Sequence, residues 1–377
     1  MVAPSRLAHV EAGRGGVFAV DGLGCLRSSM EPAHVSYLVA FWNLENFFAP
    51  ESYVGREPWV AKAMQKDLGG WTEALFKRKV AQLASIIRQM KNAAGPDVLG
   101  VCEVENQFAL QALADALNEA LPARRYELVH VDAVREQRGI DTAFLFDAKQ
   151  LTANRDELFS HWVMRRTGTR DITQITFVTA SGKQIVALAN HWPSRSSSAG
   201  EGPEYSAGFR ATAGETLAYW HDRIREEKGD DVAVIAMGDF NDDPFDKSVT
   251  IHAQGERDKG DVQRAKSAKF YNFAWDYMTQ SVLDHNGRKR LLNGTLYFGS
   301  DAAVFDQIMV SPGLLTGKSG FRVIDGSARI EAYPEATSHR VGEGPIRFGL
   351  PGGNAAKNVN TDGYSDHFPV SVQIKEA

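Results

Sequence analysis

Cysteine is nearly absent from this sequence: two occur in 377 residues, Cys25 and Cys102. That excludes a disulfide framework and a thiolate-rich zinc site. Cys102, inside the apolar run DVLGVCEV, reads as a buried reduced thiol. Long apolar runs are missing as well. Nowhere do about 18 apolar residues follow one another, and the opening MVAPSRLAHVEAGRGGVFAVDGLGCLRSSM has no continuous apolar core of the secretory type. The expectation is a soluble, cytoplasmic protein whose residues 1–34 form an irregular or disordered leader. Excess positive charge is lacking too. A net charge of −5 and a pI near 6.1 give no global attraction to nucleic acid, so a polyanion would need a local basic patch or a metal ion.

With 43% hydrophobic and 24% charged residues, the chain is composed like a globular protein with a sizeable core. VSYLVAFWNL (35–44) is rich in β-branched and aromatic residues and predicts a strand. From Thr72 to Lys91 the residues Phe76, Val80, Leu83, Ile87 and Met90 recur at spacings of four and three, which predicts an amphipathic helix. GPD stops it. VLGVCEV then reads as a buried strand, followed by a helix carrying Leu110, Leu113 and Leu117. YELVHV, DTAFLFD, ITQITFVTA, KQIVALAN, VAVIAM, AVFDQIMVS and HFPVSVQI read as further strands, with a helix over 207–227. Strands come in βα alternation and in hairpin-like pairs, without a repeat or a clear linker. The pattern predicts one α/β (α+β) domain over 35–377, with mixed sheets packed face to face between helices.

Acids and amides collect where apolar strands end, the position at which α/β folds place ligand-handling groups. VAVIAMGDFNDDP (232–244) is the densest case. As a calcium loop it starts well at Asp239, Asn241 and Asp243, but Pro244 takes the place of the obligatory glycine and Thr250 that of the bidentate glutamate. Strand alternation would put Asp239 and Asn241 on one face, with Asp242 and Asp243 in the turn that follows. Other strand ends carry Asn43 and Glu45, Glu103 and Glu105, Asp306, and Asp366 with His367. Singly, each is an ordinary cap or turn residue. Together, hard oxygen donors without thiolates suit Mg²⁺ or Mn²⁺ and a phosphate substrate.

The words NLEN, CEVEN, NHWPSR, GDFND, FDQI and SDHFPV, in this order, resemble the endonuclease/exonuclease/phosphatase superfamily, which includes pancreatic-type deoxyribonucleases, apurinic endonucleases, inositol polyphosphate 5-phosphatases and sphingomyelinases. The likeness runs from Val35 to Ile374. It implies a four-layer sandwich of two mixed sheets flanked by helices, with the site at one edge. It further implies metal handling by Asn43, Glu103 and Asp366, with Mg²⁺ or Mn²⁺ as cofactor. Asp239 would orient or deprotonate the attacking water, and Asn241 would hydrogen-bond the phosphate. His367, held by Asp306, would contact the phosphate and stabilise its charge. His191 would act with an acidic partner, for which Asp141 is the candidate; the plainer reading packs His191 under Trp192. Asn190 and Arg195 are candidate phosphate contacts, although Arg195 serves equally as a solvated loop residue.

Neither the apurinic-endonuclease wording at the metal glutamate nor the inositol-phosphatase segment before the FDQI strand is present. NLENFF with NHWPSR is most similar to a bacterial nuclease-like group. The expected activity is therefore hydrolysis of phosphodiester bonds in DNA or RNA, with a small or lipid-linked phosphoester as the alternative. KRK (77–79) reads as the solvated face of its helix. MRRTGTRD (164–171) and GRKRLLNG (287–294) are loops of the kind that track a phosphate backbone, which surface solubility explains nearly as well. KFYNFAWDYM (269–278) reads as core packing rather than base-stacking rings.

Overall fold

The computed structural model describes residues 35–133, 138–164, 168–195, 203–299, 301–340 and 342–377. The leader expected over 1–34, with Cys25, lies outside them. One sheet contains β1 (Ser36–Phe47), β2 (Val98–Val104), β3 (Tyr126–His130), β4 (Asp141–Asp147), β16 (Phe321–Val323), β17 (Arg329–Ile330) and β18 (Val370–Glu376). Its order is β16-β18-β1-β2-β4-β3, with β17 also on β18. The other contains β5 (Leu151–His161), β6 (Ile172–Thr179), β7 (Gln184–His191), β8 (Val234–Asp239), β9 (Gly255–Glu256), β10 (Phe270–Asn272) and β15 (Asp306–Val310), in the order β5-β6-β7-β8-β15-β10-β9. Each sheet is mixed: β1–β2 and β7–β8 run parallel, and their outer neighbours β18, β4, β6 and β15 run antiparallel to them. Two hairpins stand apart, β11 (Ser281–Leu283) with β12 (Lys289–Leu291) and β13 (Leu296–Phe298) with β14 (Asp301–Ala303).

The near-continuous apolar runs follow from burial on both faces, which removes the polar half of the alternation. Along β1, Tyr37, Val39 and Phe41 join Phe177, Ile235, Met237 and Ile308 of the other sheet in the central core. Leu38, Ala40 and Trp42 point the other way, into a layer shared with α2 (Glu73–Ile87) and α4 (Gln107–Ala120). A third apolar layer lies between the second sheet and α5 (Ala207–Lys228). Three cores between four layers is the sandwich that the family resemblance implies. Gly100 permits the close approach of the sheets, since a Cβ there would lie 2.6 Å from Met237 Sδ.

The helix predicted over 72–91 begins where Thr72 Oγ1 accepts from Leu75 N, but it stops at Ile87. A short turn, α3 (Met90–Ala93), follows with left-handed Lys91 and Asn92. β5 and the short α1 (Pro58–Met64) had no sequence forecast, because β5 is a polar edge strand and α1 a brief element between loops. KFYNFAWDYM packs inward through Phe270, Tyr271, Phe273 and Tyr277. In GRKRLLNG, Arg290 is committed to the carbonyls of Ser338, Arg340 and Glu343, so it braces a loop. Arg165, Arg166 and Thr167 of the other basic loop lie outside the described residues. No described helix is long and apolar enough to cross a membrane.

His221 of α5 is fully enclosed and stacks on Phe270, with ring centroids 3.9 Å apart. Burial, with Arg225 nearby, lowers its pKa to about 3. Since the unfolded chain takes up this proton near pH 6.5 and the native state resists it, the contribution is intact above about 6.5 and declines as pH falls toward 3. Chemical denaturation of His221→Phe against wild type should show a shallower loss of stability between those limits, the difference approaching about 1.4 kcal/mol per pH unit. Parallel pH profiles would assign the acid sensitivity elsewhere.

Candidate active site

The acids reach one end of the sandwich because the strands carrying them break register there. β1 and β2 pair as far as Asn43 with Cys102, shift, and resume at Phe47 with Val104. Across that gap Glu45 (φ 52°), Asn46 (φ 54°) and Glu103 (φ 61°) adopt left-handed backbone. Such φ values are uncommon for non-glycine residues, and they persist where the surroundings over-determine them. The bulge puts the Asn46 N–H 2.7 Å from Glu103 Oε2. It turns Glu45 inward, where its carboxylate accepts from Arg347 Nε at 2.9 Å and from the N–H groups of Phe348 and Gly349 at 2.9 and 3.2 Å.

Lys79 completes this support, against the sequence reading. Lys77 and Arg78 are solvated, but Lys79 is buried beneath β1, its Nζ donating to the Glu45 carbonyl at 2.7 Å and lying 3.6 Å from the carboxylate. Helical periodicity turns successive residues by about 100°, so one of three adjacent basic residues faces in, toward the displaced strand.

Beside this scaffold the two sheets meet through polar groups. Asp306 Oδ2 of β15 lies 2.7 Å from His367 Nδ1, at the entry to β18. Asn43 Nδ2 is 3.1 Å from Asp239 Oδ2 and 3.5 Å from His367 Nε2, while its Oδ1 accepts from Glu45 N. Trp42 Nε1 donates to the His367 carbonyl at 2.8 Å, and Ser365 Oγ donates to the Asn43 carbonyl at 2.7 Å. Burial alone would lower the His367 pKa, but the Asp306 and Asp239 carboxylates outweigh it and hold the imidazole well above its ordinary value. His191, by contrast, is pushed well below, by burial and by the cations Arg170 and Arg138. Its Nε2 is 3.7 Å from Asp239 Oδ2 and 3.8 Å from Glu103 Oε1. One centre thus holds a cationic and a neutral imidazole, an arrangement that separates charge stabilisation from proton acceptance.

Asp239 is raised to about 6 by burial and by Asp306, with His367 opposing. Asp366, 36% exposed at its side chain, is raised to about 7 by its partial burial and the carboxylates of Glu45 and Glu103. Crowded oxygen donors whose mutual repulsion a cation would relieve fit a hard divalent ion. Cys102, His191 and Asp239 also bring ligand atoms within 4.8 Å of one another. There, however, burial raises the thiol well above its usual value, and the acids add to that, so it stays a protonated core group.

Four expected contacts are corrected by geometry. Asp141 pairs with His130 Nε2 at 3.2 Å and with Ala133 N at 3.0 Å, not with His191. Asn190 is wholly buried and spends its amide on the Leu188 and Met237 carbonyls and on Trp192 Nε1, so it braces strands instead of meeting phosphate. Arg195 binds Asp242, Asp243 and Asp246 and lies over the Phe305 ring, which locks the GDFNDDP turn. Asn241 does not share a strand face with Asp239, because β8 ends at Asp239 and Asn241 has φ 50°. Its N–H returns to Asp239 Oδ1 at 2.9 Å, and its Nδ2 donates to the Trp192 carbonyl. Glu105 is bound by Arg56 and by Ala49 N.

A cavity of about 450 Å³ opens beside Asp366, with Tyr297, Phe298 and Arg347 on its walls. Another of about 430 Å³ opens at Glu105, Asn106, His130 and Asp141. In the strand order β18-β1-β2-β4-β3, Asp366 leads into the first strand and Asp141 and His130 lie on the last two. The cavities therefore flank Asn43 and Glu103, spread over about 20 Å at the usual strand spacing.

A family model described as Endonuclease/Exonuclease/phosphatase family matches residues 38–376. This chain belongs to that family. No curated protein matches it. Among solved structures, a family member from Bacteroides thetaiotaomicron is 16% identical, covering 91% of this chain and 99% of the other at a TM-score of 0.50. A mannosyl-6-phosphatase from Bacteroides thetaiotaomicron VPI-5482 is 17% identical over 90% and 99%, TM-score 0.49. The human Nocturnin catalytic domain with bound sulfate is 15% identical over 91% and 95%, TM-score 0.47. At these identities the likeness is one of fold. The family's members are hydrolases of phosphoester bonds and generally depend on divalent metal.

Replacing Lys79 by Met leaves Glu45 buried with Arg347 as its remaining charged partner. Denaturant melts should show a loss of about 3 kcal/mol, against less than about 0.5 kcal/mol for Lys77→Met on the exposed face. Equal effects would return Lys79 to the solvated face.

Proposed function

We propose that this protein is a divalent-metal-dependent phosphodiesterase that cleaves nucleic acid by attack of an activated water. The observation that carries it is the placement of the acid and imidazole centre between two cavities, one on the Asp366 side and one on the Glu105 side. A phosphate seated there has room for a substituent on each flank, as a diester requires and a terminal monoester does not.

Glu103 and Asp366, with Asn43 beside them, would hold Mg²⁺ or Mn²⁺, which when bound polarises the phosphoryl group and offsets the charge of the leaving oxygen. Asp239, with a pKa near 6, is ionised at neutral pH yet basic enough to take a proton from water. Asn43 holds one oxygen of that carboxylate in place. His367, kept protonated by Asp306, places positive charge and a fixed N–H at the phosphate oxygens. Asn241 retains one amide hydrogen beyond its bond to Trp192 for the same purpose. His191, neutral and near Asp239 and Glu103, takes part as a hydrogen-bonding group without the Asp141 partnership.

Purified protein should cleave single-stranded DNA, plasmid DNA or RNA and a generic phosphodiester with Mg²⁺ or Mn²⁺, and lose this activity in EDTA. Glu103→Gln and His367→Ala should each reduce turnover by about 100-fold or more while keeping the native circular dichroism spectrum. Hydrolysis of sugar phosphates, inositol phosphates or sphingomyelin with nucleic acids left intact would replace this reading with a small-molecule or lipid phosphoesterase. Undiminished turnover in either variant would overturn the site.

A further inference from the structure

The cavity on the β4–β3 side combines flat aromatic surfaces with a rim of carboxylates, and nothing in the chemistry at phosphorus uses either. Tyr53 and Phe108 stack with ring centroids 4.5 Å apart and planes at 24°, and Phe108 stacks in turn near Phe76 at 5.9 Å. Phe108 is 41% and Trp59 43% exposed, so two large rings from separate elements face solvent in one cavity. Isolated exposed rings are ordinary; rings gathered in a concave site are not.

The carboxylates dominate the charged part of the described lining. Glu57, Glu105, Asp132 and Asp141 border the cavity, and among its described lining residues there is no Lys or Arg. Glu105 is already neutralised by Arg56, and Asp141 accepts from His130 and from Ala133 N. Glu57 and Asp132 remain exposed as acceptors. His130, Asp132 and Asp141 have ligand atoms within 4.8 Å of one another, but the direct His130–Asp141 bond already accounts for two of the three. The exposed acids suit a planar, uncharged ring carrying N–H donors. Carboxylates accept from base amino groups, and bases stack on aromatic faces.

We propose that this cavity is a nucleobase subsite, in which the base stacks on Trp59, packs against the exposed part of the Tyr53–Phe108 pair and donates to Asp132 or Glu57. It rests on the phosphodiesterase reading for its use in catalysis, since it lies on the same sheet end as Glu103. Glu105 and Asn106 line it two and three residues along the chain, which limits the Glu103–Asn106 Cα separation to about 10 Å. The nucleoside joined to a phosphate at Glu103 would then enter it, while the chain on the other side of the phosphate would leave past Arg347. The subsite gives preference for a nucleotide over a simple alkyl ester and takes no part in the bond-breaking step.

The test separates binding from turnover. In EDTA, full-length protein is titrated with cytidine, and with ribose 5-phosphate as the control, by equilibrium dialysis and tryptophan fluorescence. Saturable cytidine binding without ribose 5-phosphate binding is expected, weakened about tenfold or more by Trp59→Ala, the change expected for one lost base stack, and weakened also by Phe108→Ala, which removes the neighbouring wall. Asp132→Asn should weaken it as well. With metal, the two aromatic variants should raise KM for the p-nitrophenyl ester of cytidine monophosphate and leave kcat/KM for methyl p-nitrophenyl phosphate unchanged. No cytidine binding by wild type, equal binding of ribose 5-phosphate, or unchanged binding in both aromatic variants would overturn the subsite. Cytidine binding with no phosphodiester turnover would uphold it and defeat the phosphodiesterase reading instead.

Discussion

The 2.7 Å hydrogen bond from His367 to Asp306 joins a loop entering one sheet to the first residue of a strand in the other, and the centre is organised around it. Two sheets packed through Phe41, Phe177, Ile235 and Met237 leave an end at which the apolar filling stops. Most polar groups there pair with one another, because burial without a partner is costly, while Asp306 Oδ1 and His191 Nδ1 have no protein hydrogen-bond partner among the described residues. Asn43 with Asp239, His367 with Asp306, and His191 near Glu103 each cross from sheet to sheet. Chemistry is thus built from the closure of the sandwich itself, which explains why its parts come from strands far apart in the chain.

That closure is held open at one point by backbone that would not choose its shape unaided. Glu45, Asn46, Glu103 and Asn241 are all left-handed, all at strand ends and none glycine. Buried Lys79 and Glu45, with the exposed Arg347 closing over Glu45, offset this strain beneath β1, while Arg195 and its acids do so around the turn after β8. In the sequence Lys79 reads as part of a solvated face and Arg195 as either a phosphate contact or a solvated loop residue, yet both act as braces.

What the sequence made legible was whatever has a local signature. Apolar runs located the strands, a four-and-three repeat located α2, and the words around Asp239, Asp306 and His367 located the centre. The inward turn of Lys79 was hidden because KRK has the same spelling on a solvated helix and beneath a bulged strand. Asp141 and Asn190 depart from expectation for a related reason: a strand-end polar residue announces that it needs a partner, not which one it will find. Alternation does not reach Asn241, because the strand ends two residues earlier, at Asp239. β5 escaped notice because its mostly polar sequence earns its place through edge pairing with β6.

The two cavities come from different material than the centre between them. Their walls are drawn largely from the segment around Tyr53 to Val60, the stretch after His130, the β13–β14 hairpin and residues 338–347, whereas the acids and imidazoles stand at the ends of core strands. Loops can exchange length and composition without repacking a core, so the reaction and its selectivity are separately heritable in this architecture. On the proposed reading, grafting either flank from a relative would change the substrate and leave the centre as it is.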